Sequence, residues 1–503
     1  MPRHTLTFQN VTFAYEQMTL PLLQQASFAF PTGWTGVVGA NGAGKTTVLK
    51  LATGILRPDS GCIRSPGAAI YCEQRTDEPP TRLGSFLEAA DGRAMALRDW
   101  LGIQDDWQTK WPALSHGERK RTQIAVALWQ EPEILALDEP TNHIDQDARC
   151  LLLQALERYR GIGLIVSHDR SLLDSLCRQC LFVESGRLVM RPGGYTVGRV
   201  QADREEASAV EQRELSKERC RKLQEQAVRL RSECVRASRK ASKRGLSSRD
   251  HDARAKIDAG RVTGKDAAVM KRAVQLEKRL ARERSLRDSI AVKKQYRLGV
   301  WMEGEESRRD TLFRLPAGVL RLGPARCLVY PDLIMMPRHR IALTGPNGSG
   351  KSSLIRAILG HLNIPAGRLV YLPQEIDAAS SSGTIKQVKL LSRDKLGHVM
   401  SLVTRLGSDP DRVMETTEPS PGEMRKVLLA MGLAGSPELI IMDEPTNHLD
   451  LPSIECMETA LSDCPCGLLL VSHDERFLEA LTDRRWTTEA CAEDPNCMVL
   501  GVR

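Results

Sequence analysis

Two lysines, Lys45 and Lys351, each close a glycine-rich run able to hold phosphate. The first run is Gly39-Ala40-Asn41-Gly42-Ala43-Gly44-Lys45-Thr46-Thr47; the second is Gly345-Pro346-Asn347-Gly348-Ser349-Gly350-Lys351-Ser352-Ser353. Glycines let the backbone curl until its N–H groups face an anion, an approach that side chains would block. A helix starting at the lysine points its positive end at the same anion. The ammonium suits the outer phosphates of a nucleotide, and the hydroxyl of Thr46 or Ser352 suits Mg²⁺. Asp138-Glu139 and Asp443-Glu444 end two apolar runs, with each Asp 93 or 92 residues beyond its lysine. The aspartates suit Mg²⁺, and the glutamates suit a general base that orients an attacking water. The chemistry implied is hydrolysis of a bound nucleotide.

These groups need strands to carry them. Thr35–Val38 and Ile341–Thr344 lead into the two loops, and Ile134–Leu137 and Leu439–Met442 lead to the acids. Apolar runs of that length read as buried strands whose carboxyl ends form the ligand edge of an α/β sheet. The motifs also repeat in register. Lys45 recurs as Lys351 at an offset of 306, while Ser115, Glu139 and His168 recur as Ser420, Glu444 and His473 at 305. Constant offsets predict two copies of one α/β domain, over 1–197 and 306–503.

Between the copies the composition changes. Residues 201–300 hold 28 Lys and Arg against 15 Asp and Glu, a surplus larger than the net +8 of the whole chain. That stretch has one aromatic, Tyr296, and no proline, so it cannot bury a core of its own. Val269, Ala273, Leu276 and Leu280 recur at helical spacing. The pattern predicts helices over 202–242 and 266–298, joined through Ser247–Asp252, in a linker spanning 198–305. Such a hairpin is either a solvated, salt-bridged strut or an arm that contacts nucleic acid, because a positive surface attracts phosphate.

Both copies resemble the ATP-binding cassette, a P-loop core with a helical subdomain. The cassette signature stands as Leu114-Ser115-His116-Gly117-Glu118 and, more degenerate, as Pro419-Ser420-Pro421-Gly422-Glu423. By this resemblance Gln74 and Gln374 are the glutamines that couple Mg²⁺ and water, and His168 and His473 are the histidines at the γ-phosphate. Tyr15 looks like the aromatic that stacks on adenine. The runs Glu139-Pro140-Thr141-Asn142-His143-Ile144-Asp145 and Glu444-Pro445-Thr446-Asn447-His448-Leu449-Asp450 resemble the ABC-F family, tandem cassettes joined by a long charged linker. The resemblance implies ATP and Mg²⁺ as ligands, a monomer with an intramolecular sandwich of cassettes, and the ribosome as partner, with the hairpin directed at rRNA and peptidyl-tRNA. It implies either a translation factor or an antibiotic-resistance protein. Only 41 residues separate Gln74 from Ser115 and 30 follow His473, which leans toward the resistance type or an uncharacterised branch.

In cassettes the signature of one copy completes the site of the other. Pro421 offers no N–H, so the Lys45–Ser420 site is expected to be weaker than the Lys351–Ser115 site. No aromatic matches Tyr15 upstream of Lys351, where Arg321-Leu322 stands instead. Transport ATPases of similar length are the main rival, but a basic hairpin has no use in them; a DNA-binding arm is the other. No apolar stretch reaches the roughly 18 residues of a membrane span, and no secretory leader is evident. Thirteen cysteines without a paired framework suit a reducing cytoplasm, and Cys177/Cys180 and Cys464/Cys466 lack partner pairs at zinc-site spacing.

Overall fold

The computed structural model describes residues 5–16, 20–142, 144–184, 187–240, 265–290, 307–323, 326–375, 378–415, 420–447, 449–491, 494 and 496–502. In the first cassette the strands are β1 (Leu6–Phe13), β2 (Leu23–Phe30), β3 (Gly33–Gly39), β4 (Ser60–Arg64), β5 (Ala69–Cys72), β6 (Ile134–Asp138), β7 (Ile162–Val166), β8 (Cys177–Glu184) and β9 (Arg187–Pro192). They form a six-stranded sheet of order β5-β6-β7-β3-β8-β9 and a three-stranded sheet β2-β1-β4. The six-stranded sheet is parallel except for its β8–β9 edge. β6 and β7 are buried at every position, which is why their sequences are unbroken apolar runs rather than alternating ones.

The second cassette repeats this order. Its strands are β10 (Phe313–Leu315), β11 (Gly318–Arg321), β12 (Cys327–Tyr330), β13 (Leu333–Met335), β14 (Arg340–Thr344), β15 (Leu369–Leu372), β16 (Leu439–Asp443), β17 (Gly467–Val471), β18 (Arg484–Ala490) and β19 (Cys497–Val502). Reading from β15, the main sheet runs β15-β16-β17-β14-β18-β19 and then continues into β12 and β11. In both copies the loop-bearing strand lies between the strand that leads to the histidine and the strand after it. Asp138 pairs with Val166 and Asp443 with Val471, which sets acid and histidine loops side by side.

Helices Leu83–Glu88, Gly92–Leu101 and His116–Trp129 form the helical subdomain of the first cassette. Trp107, Trp111, Leu97 and Ile124 bury its core. The second subdomain uses helices Ala378–Lys389, Arg393–Arg405, Pro410–Glu415 and Pro421–Ala434. Cys464 and Cys466 are joined as a disulfide, a link between near neighbours rather than a scaffold. Cys177, not Cys180, sits at the helix-to-strand junction; Cys180 lies inside β8, and both are buried. Among the described residues no cluster of His, Cys, Asp or Glu is arranged to hold a metal, and no helix is long and apolar enough to cross a membrane.

The chain divides into two compact units, one containing both cassettes and the other residues 199–295. The first linker helix is Tyr195–Lys240 and begins seven residues earlier than its composition predicts. Its start follows from a cap supplied at a distance: the carboxylate of Asp174 accepts the Thr196 N–H at 2.8 Å. The second helix is Lys265–Ser289. The expected loop 247–252 and the stretch 291–298 lie outside the described residues. Within the hairpin, Ser216 meets Glu283 and Arg231 pairs with Glu277 at 2.6 Å, so the helices run antiparallel. Cys220, Ala227 and Leu280 are its buried apolar contacts.

Candidate nucleotide sites and the cassette seam

Both phosphate loops are shaped by glycines that nothing else could replace. A Cβ on Gly39 would lie 2.4 Å from the Val183 carbonyl, and one on Gly345 would lie 1.9 Å from the Thr488 hydroxyl. Gly44 and Gly350 have φ of +104° and +97° and turn the chain into the helices that start at Lys45 and Lys351. Lys45 Nζ folds back on its loop, donating to Gly39 O at 2.9 Å and Ala40 O at 3.1 Å. Lys351 Nζ does the same toward Gly345 O at 2.7 Å and Pro346 O at 2.9 Å. Burial holds both ammonium groups below their usual range, though neighbouring carboxylates keep them from falling further.

The hydroxyls reach the acids. Thr46 Oγ1 donates to Asp138 Oδ2 at 2.7 Å, and Ser352 Oγ donates to Asp443 Oδ2 at 2.6 Å. Tyr71 adds a second donor to Asp138 at 3.0 Å. Burial raises both aspartyl groups, against the pull of those hydroxyls. A hydroxyl and a carboxylate in contact, with Gln74 or Gln374 lining the same cavity, is an oxygen-only donor set that fits Mg²⁺.

Glu139 and Glu444 both adopt left-handed backbone, with φ of +47° and +50°. Such strain repeated at one position in two copies marks a site whose side-chain direction matters more than backbone comfort. Each glutamate amide is tied across the sheet, to Val166 O at 2.9 Å and Val471 O at 2.8 Å. Oε1 of each carboxylate is buried with no aligned hydrogen-bond donor, and the histidine of the same copy is the group nearest to it.

The electrostatics then diverge. His168 Nε2 lies 2.9 Å from Glu139 Oε1, whereas His473 Nε2 lies 3.4 Å from Glu444 Oε1 and 3.2 Å from Asn347 Oδ1. Burial works to raise the Glu139 carboxyl, but His168 and Lys45 outweigh it and hold the group below its usual range. At Glu444 burial wins, with Asp443 adding to it, and pushes the carboxyl up to about 8. Burial and Lys351 push His473 down to about 4. Identical motifs thus sit in surroundings that shift their carboxyls in opposite directions.

A cavity of about 810 Å³ gathers Tyr15, Asn41, Gly42, Lys45, Thr46, Thr47, Gln74, Asp138, Glu139 and His168 of the first cassette. Ser420, Pro421 and Gly422 of the second cassette line the same cavity. Tyr15 OH lies 3.1 Å from Thr47 Oγ1. Ser420 caps its helix in a reciprocal box with Glu423, so Pro421 occupies the first helical position, where its missing N–H costs the helix nothing. The other cavity, about 510 Å³, is lined by Asn347, Gly348, Gly350, Lys351, Ser352, Ser353, Gln374, Asp443, Glu444 and His473, with Arg321 and Leu322 where an aromatic was missing. Ser115 and Gly117 are not among the residues lining it. Ser115 caps its own helix with Glu118, as Ser420 does with Glu423.

Three groups escaped the motif reading. Asp450 accepts the backbone N–H of Asn41, in the opposite cassette's loop, at 2.7 Å. Its place six residues beyond Glu444, at a helix N-cap, was the available signal. Lys120, fully buried, donates to Glu73 O at 2.6 Å and Asp138 O at 3.2 Å; its counterpart Arg425 donates to Glu444 O at 2.8 Å and to Gln374 O. Each cation fastens the glutamine loop to the acidic strand. Arg170 crosses the seam between cassettes, donating to Glu458 Oε2 at 3.0 Å and Asp474 Oδ2 at 3.3 Å. Asp174 pairs with Arg476 at 2.7 Å, and Tyr195 OH donates to Glu455 at 2.6 Å along the same seam.

Comparison with known proteins agrees with this geometry. The family described as ABC transporter matches residues 23–142 and again 331–447. The ribosome protection protein VmlR of Bacillus subtilis (strain 168) is 30% identical over 465 residues, covering 90% of this chain and 80% of VmlR. The tylosin resistance ATP-binding protein TlrC of Streptomyces fradiae is 28% identical over 550 residues, covering 96% of each. The archaeal ribosome recycling factor aABCE1, solved with the ribosomal stalk protein aP1, shares the fold with a TM-score of 0.63 at 18% identity, over 98% of this chain and 89% of that one. Twin phosphate loops, acids and signatures, together with these relatives, place the chain in the ABC-F family of tandem-cassette ATPases.

Proposed function

We propose that this ABC-F ATPase works on the ribosome, as a translation factor or a protection protein, by closing its cassettes around ATP and presenting the basic hairpin to rRNA and peptidyl-tRNA. The cassettes are 1–197 and 306–503, the linker is 198–305, and the setting is the cytoplasm. The observation that carries this reading is the cavity in which Lys45 and Ser420 line one space from opposite cassettes. A cleft assembled from two cassettes can open and close with its nucleotide, and the motion is available to a linker between them. The names of the relatives, one a ribosome protection protein and one a resistance protein, support the choice of target.

Each residue has a task in this reading. The loop amides and Lys45 or Lys351 hold the phosphates, and Tyr15 stacks on the base. Thr46, Asp138 and Gln74, or Ser352, Asp443 and Gln374, would hold Mg²⁺, which would offset charge on the phosphates when bound. Glu139 and Glu444 orient and deprotonate water, and His168 and His473 hold those glutamates and the terminal phosphate. Sucrose-gradient sedimentation with ATP tests the target. Co-migration with ribosomes supports it, while co-migration with membranes or nucleoid would replace it with the transport or DNA reading.

Sequence ranks the Lys45 site below the Lys351 site because of Pro421. Two features oppose that ranking, the Lys45 cleft lined from both cassettes and the Glu444 carboxyl raised by burial. Lys45→Ala is therefore expected to cost more turnover than Lys351→Ala. A base must be ionised to act, and one unit below a pKa of about 8 only about a tenth of Glu444 is ionised. The Lys45→Ala protein, working through Glu444, should accelerate nearly tenfold per pH unit between about pH 6 and 7.5. The Lys351→Ala protein, working through Glu139, should be flat over that range. Steady-state ATPase profiles of the two variants check both points; matching slopes would remove the assigned difference between the glutamates.

A further inference from the structure

The Lys45 cleft contains a second lysine that no motif assigns to it. Lys426 lines it from the second cassette, on the helix Pro421–Ala434, and is 6% exposed. An ammonium has three donors, yet the hydrogen bond described for this one is long, 3.4 Å to Gly407 O. The acids whose charges act on it are engaged elsewhere: Asp450 with Asn41 and Ser453, Glu423 with Ser420. Burial lowers its pKa. A buried ammonium with so little hydrogen bonding is costly unless an anion completes its shell.

The other cassette shows the contrast. The 305-residue offset makes Arg121 the counterpart of Lys426, and Arg121 is directed into its own subdomain: it donates to Leu101 O at 2.6 Å and lies over the Trp107 ring at 5.8 Å, with Nε buried and unpartnered. It does not line the Lys351 cavity. The cassette whose signature keeps an N–H at His116 has its cation turned away, and the cassette whose signature has Pro421 has its cation in the cleft.

We propose that Lys426 is a nucleotide-binding residue acting across the sandwich, its ammonium taking an anionic oxygen of the triphosphate held by Lys45 in place of the contact Pro421 cannot make. The proposal rests on the reading of this cleft as a nucleotide site. It also explains why the helix retains a desolvated charge: in the absence of nucleotide the charge is a burden, and in its presence it draws the cassettes together. Because the contact comes from the opposite cassette, it contributes only when the cleft is closed.

The test is thermal unfolding of the full chain carrying Lys351→Ala, so that the Lys45 site dominates, with and without ATP in the presence of EDTA to suppress hydrolysis. Adding Lys426→Met should leave Tm without nucleotide unchanged or raised, since a buried charge is removed. ATP affinity should fall about 10- to 100-fold, the range for losing a hydrogen bond to a charged group, so the ATP-induced rise in Tm disappears at concentrations that saturate the parent. Lys426→Arg should keep most of that rise, and Arg121→Met should keep all of it. A lower Tm without nucleotide in Lys426→Met would make the lysine a folding residue and overturn the proposal. An undiminished ATP shift would overturn it too. A parent without any ATP shift would overturn the nucleotide reading of the cleft, and the role of Lys426 with it.

Discussion

Replacing Glu139 and Glu444 together by glutamine should lower ATP turnover about 100-fold or more while ATP binding persists. Glutamine keeps the size of the side chain and can accept a hydrogen bond, but it cannot take a proton from water. Both positions sit in left-handed backbone with one carboxylate oxygen buried and lacking an aligned donor, so the lost function is proton acceptance rather than folding. The closed form should then accumulate and remain on ribosomes, which would block translation. Single-turnover hydrolysis and nucleotide retention after gel filtration measure the two halves separately. Near-normal turnover in the double variant would strip both glutamates of the role of base.

The second large effect concerns the linker. Removing the stretch 243–265 should leave basal ATPase within about twofold and abolish ribosome-dependent function. Every group suited to phosphate chemistry lies in the cassettes, and the linker helix Tyr195–Lys240 alone, at about 1.5 Å per residue, extends on the order of 70 Å. The residues removed include none of those groups. Milder changes, Arg236, Arg239 and Lys240 to alanine, should weaken association and flatten its salt dependence by roughly one unit of log-log slope for each phosphate left unneutralised. Ribosome pelleting over a salt series, with ATPase assays on the same preparations, decides the matter. A shortened protein that retains its cellular phenotype would reduce the hairpin to a spacer.

The parts of this molecule that were legible in its sequence are those where backbone geometry permits one residue type. Gly39 and Gly345 meet a neighbouring strand so closely that no side chain fits, and the strands ahead of Asp138 and Asp443 are buried on both faces. Pattern and chemistry coincide there. The contact of Asp450 with Asn41 spans two cassettes, and nothing local marks it apart from an N-cap. The start of the first linker helix at Tyr195 depends on a carboxylate 22 residues before Thr196. The opposite shifts of Glu139 and Glu444, which are equally buried, rest on about half an ångström of histidine placement and on the charge of Asp443, which identical motifs cannot express. Pro421 is legible only in part. A missing N–H is visible in the sequence, whereas the cation that stands near it is five residues further along a helix and shows its relevance only once the cleft is closed.

The ion pairs along the seam also decide which cassette can meet which. Arg170 faces Glu458 and Asp474 across it, but at the position matching Arg170 the second cassette has Glu475. Two second cassettes brought face to face, as when separate chains collide, would set Glu475 toward Glu458 and Asp474, acid against acid in a partly desolvated seam. Two first cassettes would keep one acid for Arg170, Asp169 in the place of Asp474, but would lose the other, because Leu153 matches Glu458. The mixed pairing alone gives the arginine both of its carboxylates. A few charges that differ between otherwise matching halves thus favour a first cassette meeting a second over like meeting like.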